Sequence, residues 1–251
     1  MKITGPIGYD EIVPLQMTHR VLRAGATPAF CRGLSAIAVS LAEFPVAARD
    51  YPLVFATLDE GRTYAPVAVL GFDPGSNLFI DADGQWDAGA YVPAFVRRYP
   101  FCISKIYVDG EPQSERAVCV AKAWIDPTGI ALFDAQGRPS REWKSIERLL
   151  AEYEADLDRT AQFCAALARM RLLEPFSVQH IGGGTAVEVK LGGMSRVNEA
   201  KLKDLKPASH KVLATKGFTA LIHAHLHSLQ NFQRLAARLS RAARRTGDGR
   251  G

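Results

Sequence analysis

The stretch SREWKSIERLLAEYEADLDRTAQFCAALARMR, residues 140–171, decides the fold class. Trp143, Ile146, Leu149, Leu150, Tyr153, Leu157, Thr160, Ala161, Cys164 and Leu167 recur at three- and four-residue spacing, with charged residues between them. That period predicts one long helix with a single apolar stripe, Ser140 as its cap and Pro175 as its limit. Upstream the texture differs. Leu53–Leu58 and Pro66–Phe72 are short apolar runs joined by Asp59-Glu60-Gly61-Arg62-Thr63, a hairpin pattern. Leu78–Ile80 reads as a further strand ending in the Asp81-Ala82-Asp83-Gly84 turn, and Ile103–Val108, Ala117–Trp124 and Ile130–Phe133 read as strands too.

Shorter helical patterns lie among these strands. One falls within Ala42–Tyr51, and another covers Tyr91–Phe101, with Pro93 near its start and Pro100 at its end. The first 35 residues are irregular, broken by Gly5, Pro6, Gly8, Pro14, Gly25 and Pro28. Downstream, Phe176–Val189 reads as a hairpin about Gly182-Gly183-Gly184, and Asn198–Asp204 as a short helix. Phe218–Leu239 reads as a last long helix with Ile222, Leu226, Leu229, Phe232, Leu235 and Leu239 on one stripe. Strands first and helices later predict an α+β fold: an antiparallel sheet in the N-terminal and central region backed by C-terminal helices. With no Pro-, Gly- or Ser-rich linker, a single domain is expected over residues 1–240, followed by a basic, flexible tail at 241–251.

The 251 residues are 47% hydrophobic and 23% charged, ordinary globular proportions that exclude a disordered or collagen-like chain. Net charge is +5, but Arg234, Arg238, Arg241, Arg244, Arg245 and Arg250 face one late acid, Asp248, and the remaining bases and acids are equal in number. The charge therefore belongs to the end of the chain rather than to a folded face, and no nucleic-acid partner is expected. The first residues have no apolar core of a signal peptide, and the best apolar run, Phe218–Leu226, contains His223 and His225, so no membrane span and a cytoplasmic location are expected. Cys31, Cys102, Cys119 and Cys164 form no C-x-x-C pair and read as small buried hydrophobes.

Local motifs for chemistry are incomplete. On a helix His223 and His227 share a face, as a two-histidine metal clamp would, but His225 points elsewhere and no H-E-x-x-H pattern follows. Asp81, Asp83 and Asp87 suggest calcium, yet Trp86 and Val92 stand where a calcium loop needs Gly and Glu, so the segment reads as a turn. Gly182–Gly184 lacks the Lys-Ser of a phosphate loop, Gly193-Met194-Ser195-Arg196-Val197 lacks the second glycine of a serine elbow, and no dinucleotide fingerprint occurs. No metal and no cofactor are expected. The richest surface is aromatic and cationic: Trp86, Tyr91, Phe95 and Tyr99 with Arg97 and Arg98, in which Tyr91, Phe95 and Tyr99 fall at helical four-residue spacing. Aromatics beside paired arginines suit an anionic or aromatic ligand or a partner hot spot. His223, His227, Asn231 and Arg234 make a polar line on the last helix.

Four stretches, Arg49–Phe55 (RDYPLVF), Asn77–Trp86 (NLFIDADGQW), Tyr91–Phe101 (YVPAFVRRYPF) and Ala224–Asn231 (AHLHSLQN) running on to Arg234 and Leu235, resemble the SapC family of bacterial proteins, and the likeness extends from about Val13 to Leu235. The family takes its name from a member linked to a bacterial surface layer. The resemblance implies genes neighbouring tryptophan-halogenase-like flavoproteins and TonB-dependent receptors, and so a protein partner such as that flavoprotein; it carries no catalytic residues over.

The expected function is therefore a non-catalytic binding or accessory protein, partnered with a nutrient-uptake, halogenase-like or surface-layer-related system. Trp86, Tyr91, Phe95, Arg97, Arg98, Tyr99, His225 and Asn231 are its candidate ligand or partner residues. The alternative is an enzyme using the His223/His225/His227 region with a carboxylate or metal.

Overall fold

The computed structural model describes residues 5–23, 25, 27–57, 63–108, 111–181 and 188–248. Its strands in chain order are β1 (Ile12–Pro14), β2 (Arg20–Val21), β3 (Ala36–Ala38), β4 (Leu53–Thr57), β5 (Tyr64–Val69), β6 (Phe101–Val108), β7 (Glu111–Ala121), β8 (Ile130–Ala131), β9 (Leu173–Ile181) and β10 (Glu188–Val197). Its α-helices are α1 (Phe44–Ala47), α2 (Ala94–Arg97), α3 (Arg141–Arg169), α4 (Glu199–Lys203), α5 (Pro207–Thr215), α6 (Phe218–Ser228) and α7 (Asn231–Asp248). Antiparallel strands in the first and central parts with helices toward the end make this the α+β fold that the periodicity predicts. By packing, the chain forms two compact units, Met1–Cys31 with Ala94–Ala155 and Arg32–Pro93 with Asp156–Gly251.

The first unit is built on the sheet β1-β7-β6. Side chains alternate faces along a strand, and here both faces are apolar. Phe101, Ile103, Val118 and Val120 pack with Trp143, Ile146 and Leu150 of α3 and with Val21 and Leu132 of the β2–β8 pair. On the opposite face, Cys102 and the Cys119 across from it join Ala121, Tyr9 and Ile12. Burial pushes the Cys102 thiol up to about 12 and that of Cys119 up to about 11, so neither ionises near neutrality.

The second unit carries the five-stranded antiparallel sheet β3-β5-β4-β10-β9. Phe44, Phe55, Phe163 and Phe218 form a chain of ring contacts 5.0–6.0 Å apart at its centre. His225 of α6 is fully buried against Phe55, at 4.9 Å between ring centres. The Val197 N–H donates to its Nε2 at 3.0 Å, so the proton sits on Nδ1, which donates to the Leu53 carbonyl at 2.8 Å. Burial holds this histidine neutral, its pKa pushed down to about 4.

Several elements differ from their sequence reading. The expected helix over 218–239 is two helices, because hydrogen bonds switch to three-residue spacing at Leu229, Phe232 and Gln233 while the Ser228 hydroxyl bonds back to the His225 carbonyl at 2.6 Å. The stretch over 91–101 holds only the single turn of α2, bracketed by the two prolines, so Tyr91, Phe95 and Tyr99 do not share one helical face. Leu78–Ile80 contributes one bridge, Ile80 to Trp86, rather than a strand. The glycines of the β9–β10 hairpin and most of the Asp59–Thr63 loop lie outside the described residues. The last helix continues through the arginine-rich stretch to Asp248.

In the unfolded chain His225 takes up a proton below about pH 6.5, whereas in the fold it does so only near 4. The unfolded state thus binds more protons over that window, and stability falls with falling pH by on the order of 3 kcal/mol from this group. His225→Ala is expected to cost about 2–4 kcal/mol near neutrality, from the cavity and two unpaired backbone groups, and to flatten this part of the pH profile. Urea denaturation at several pH values checks both; a variant retaining the parent slope contradicts the assignment.

Candidate functional site

In the first unit, α2 delivers Arg97 and Arg98 to the start of β6, and the chain around them opens a cleft of about 590 Å³. Its floor is apolar, formed by Val21, Pro100, Phe101, Ile130, Leu132 and Ile146. Its charged lining is Arg23, Arg97, Arg98, Arg141 and Glu142. Arg23 follows β2, and Arg141 opens α3, whose first turn is fixed by Ser140 accepting the Trp143 N–H at 3.1 Å. Glu142 and Arg23 form a loose, exposed pair at 3.6 Å.

Arg98 is only 5% exposed. Its guanidinium lies between two aromatic faces, 4.8 Å from the Phe95 ring centre and 4.6 Å from that of Tyr153. Among the described residues its buried Nε finds no hydrogen-bond partner. Tyr99, also in the cleft wall, is fixed by the Trp124 indole N–H, which donates to its hydroxyl at 2.7 Å, and by ring contacts with Tyr9 and Phe30 at 5.0 and 5.4 Å. Burial raises the Tyr99 pKa, so the phenol stays protonated at neutral pH.

Of the eight candidate residues, Phe95, Arg97, Arg98 and Tyr99 belong to this unit, and Trp86, Tyr91, His225 and Asn231 to the other. Three of the second group, Trp86, Tyr91 and Asn231, converge on the hydroxyl and backbone of Tyr51. Trp86 donates its indole N–H to the Tyr51 hydroxyl at 3.0 Å, and that hydroxyl donates to the Tyr91 carbonyl. Tyr91 donates its own hydroxyl to Glu43 at 3.1 Å and its N–H to Asp50 at 2.9 Å. Asn231, 2% exposed, donates to the carbonyls of Ala48 and Tyr51 at 2.8 and 3.1 Å. Burial holds the Tyr51 phenol well above its ordinary pKa.

His223 and His227 are exposed on α6, and His227 Nε2 lies 2.8 Å from the Gln230 amide. Both ring nitrogens of the buried His225 are engaged with backbone. Among the described residues no three His, Cys, Asp or Glu side chains come together as metal ligands, and no helix is long and apolar enough to cross a membrane. The acidic segment is a turn: Gly84 takes φ +83°, and Asp81 accepts the Gln85 N–H at 2.8 Å. Sequence reasoning missed Arg23 and Arg141 as parts of the cleft and Tyr51 as a hub. The arginines carry no local signal, whereas Tyr51 lies within RDYPLVF.

A comparison with known protein families matches residues 16–235 to SapC. No curated protein and no solved structure matches the chain.

Tyr51→Phe removes one acceptor for Trp86 and one donor to Tyr91 while keeping the ring on Phe79, 4.5 Å away. The expected loss is about 1–3 kcal/mol, read as a lower denaturant midpoint with an unchanged slope. An unshifted midpoint would remove Tyr51 from its role as hub.

Proposed function

This chain belongs to the SapC family, and from that premise we propose that it is a non-catalytic binding protein of the cytoplasm whose ligand occupies the cleft of the first unit. The observation that carries this reading is the cleft itself, a concave volume of about 590 Å³ in which an apolar floor meets several fixed polar groups. That combination of size and lining suits a small organic ligand. Binding is favoured over turnover by the chemistry of the wall. The arginines offer donors and charge rather than a base, burial holds Tyr99 protonated, and the one carboxylate of the wall, Glu142, sits beside Arg23. The histidines of the competing enzymatic reading lie on α6, in the other unit, and His225 is fully enclosed.

As an accessory protein it would present or withhold its ligand for a partner. The resemblance makes a tryptophan-halogenase-like flavoprotein of a nutrient-uptake or surface-layer-related system the partner to test. Affinity capture from the native host is expected to recover that flavoprotein, and recovery of none removes this half of the reading.

Binding is tested by thermal shift against a panel of carboxylates, phosphates and neutral apolar compounds. A true ligand at a hundredfold its Kd contributes about 2.7 kcal/mol and raises the melting temperature by roughly 5–10 °C. Ser145, exposed in the cleft wall, gives the control: Ser145→Trp fills the cleft and is expected to abolish the shift. Mass spectrometry should recover the compound unchanged after prolonged incubation. No shift across the panel, or conversion of the compound, overturns the proposal.

A further inference from the structure

The cleft is electrostatically one-sided. Four of its lining side chains are guanidiniums, Arg23, Arg97, Arg98 and Arg141, and the single carboxylate, Glu142, sits beside Arg23. Arg141 adds its charge at the first turn of a helix of 29 residues, where the backbone dipoles also present their positive end. Arg98 is the most informative of the four. A guanidinium buried to this extent needs an anion and a full set of acceptors. The Phe95 and Tyr153 faces supply part of that compensation. Among the described residues no carboxylate lies within ion-pair distance of Arg98, and its Nε has no acceptor. An oxyanion in the cleft would supply the counter-charge that Arg98 lacks. Beneath these charges the floor, including Phe101 and Ile146, is hydrocarbon, so a bare inorganic ion would leave it exposed to water.

Resting on the reading of this cleft as a ligand site, we propose that it takes an amphipathic anion: a carboxylate or phosphate head held by Arg98 and Arg141, with an apolar body lying on the Phe101–Ile146 floor. Guanidinium forks bind both heads in the same bidentate manner, so the chemistry they share is a flat pair of oxyanion acceptors. The aromatic stack holds the Arg98 fork in place before the ligand arrives, which lowers the ordering cost of binding.

Calorimetric titration of the full chain with decanoate, decyl phosphate and decanol, each below its micellar range, separates the possibilities. At least one of the two anions is expected to bind about tenfold or more tightly than decanol, and the stronger of them identifies the head as carboxylate or phosphate. Raising salt to about 500 mM should weaken the anion and leave decanol unchanged. Arg98→Met is expected to reduce anion affinity by about 10–100-fold, and the exposed Arg141→Gln, which leaves the core intact, by about 3–10-fold. Decanol binding as tightly as the anions, with both lost in Ser145→Trp, keeps the cleft as a ligand site and overturns the anion inference. Anion binding that persists unchanged in Ser145→Trp overturns the site as well. Failure of all three compounds overturns the anion inference, and the wider panel then decides the site.

Discussion

Leu53 begins β4 without a strand partner on one side, because the β10 ladder reaches only Phe55 and Ala56. A buried backbone N–H and C=O left this way would cost about 1–3 kcal/mol each. Helix α6 answers both. Ser228 accepts the Leu53 N–H at 2.9 Å, and His225 donates to the Leu53 carbonyl at 2.8 Å while accepting the N–H of Val197 at the end of β10. One turn further on, Asn231 satisfies the carbonyls of Ala48 and Tyr51. Positions 225, 228 and 231, spaced by three, thus satisfy buried backbone groups from the turn after α1 to the start of β4. The arrangement works only with a neutral imidazole that donates from one nitrogen and accepts at the other, which is the form burial enforces.

This constraint explains which sequence signals were legible. The family-like stretches RDYPLVF and AHLHSLQN are the two sides of this single set of hydrogen bonds, and NLFIDADGQW joins them through Trp86 and Tyr51. From the sequence alone, His225 and Asn231 stand out as polar residues close to an apolar stripe, a pattern shared by binding residues and by side chains that satisfy buried backbone. What separates the two is the identity of the partner, and here the partners are carbonyl and amide groups, which every residue carries and no sequence distinguishes. The long helix α3 and the α+β class were legible because periodicity is a local property. The break between α6 and α7 was not, since the apolar stripe runs across it and only the three-residue hydrogen bonds around Ser228 and Asn231 reveal it.

The cleft of the first unit shows the opposite case. Arg97 and Arg98 were visible as neighbours in a distinctive string, but Arg23 and Arg141 come from segments with no spacing relation to them. They meet because β2 pairs with β8 and because α3 starts just after that pair. The same local string also separates two roles. Arg97 is exposed in the cleft wall, whereas Arg98, one residue later, turns inward between Phe95 and Tyr153. Adjacent identical residues point differently because α2 ends at Arg97 and the chain turns through residues 98–100 before β6 begins at Phe101.

Each unit buries a nitrogen-bearing polar side chain of a different kind. In the second, a neutral histidine holds strand ends together, so its integrity is tied to a group that resists protonation down to about 4. In the first, the buried group is the guanidinium of Arg98, set between the rings of Phe95 and Tyr153. The pH dependence of stability contributed by His225 therefore arises in the unit that does not hold the cleft. An imidazole that must stay neutral to serve backbone on two sides, and a guanidinium set against two aromatic faces, are thus two answers to one constraint: a buried polar group has to find partners.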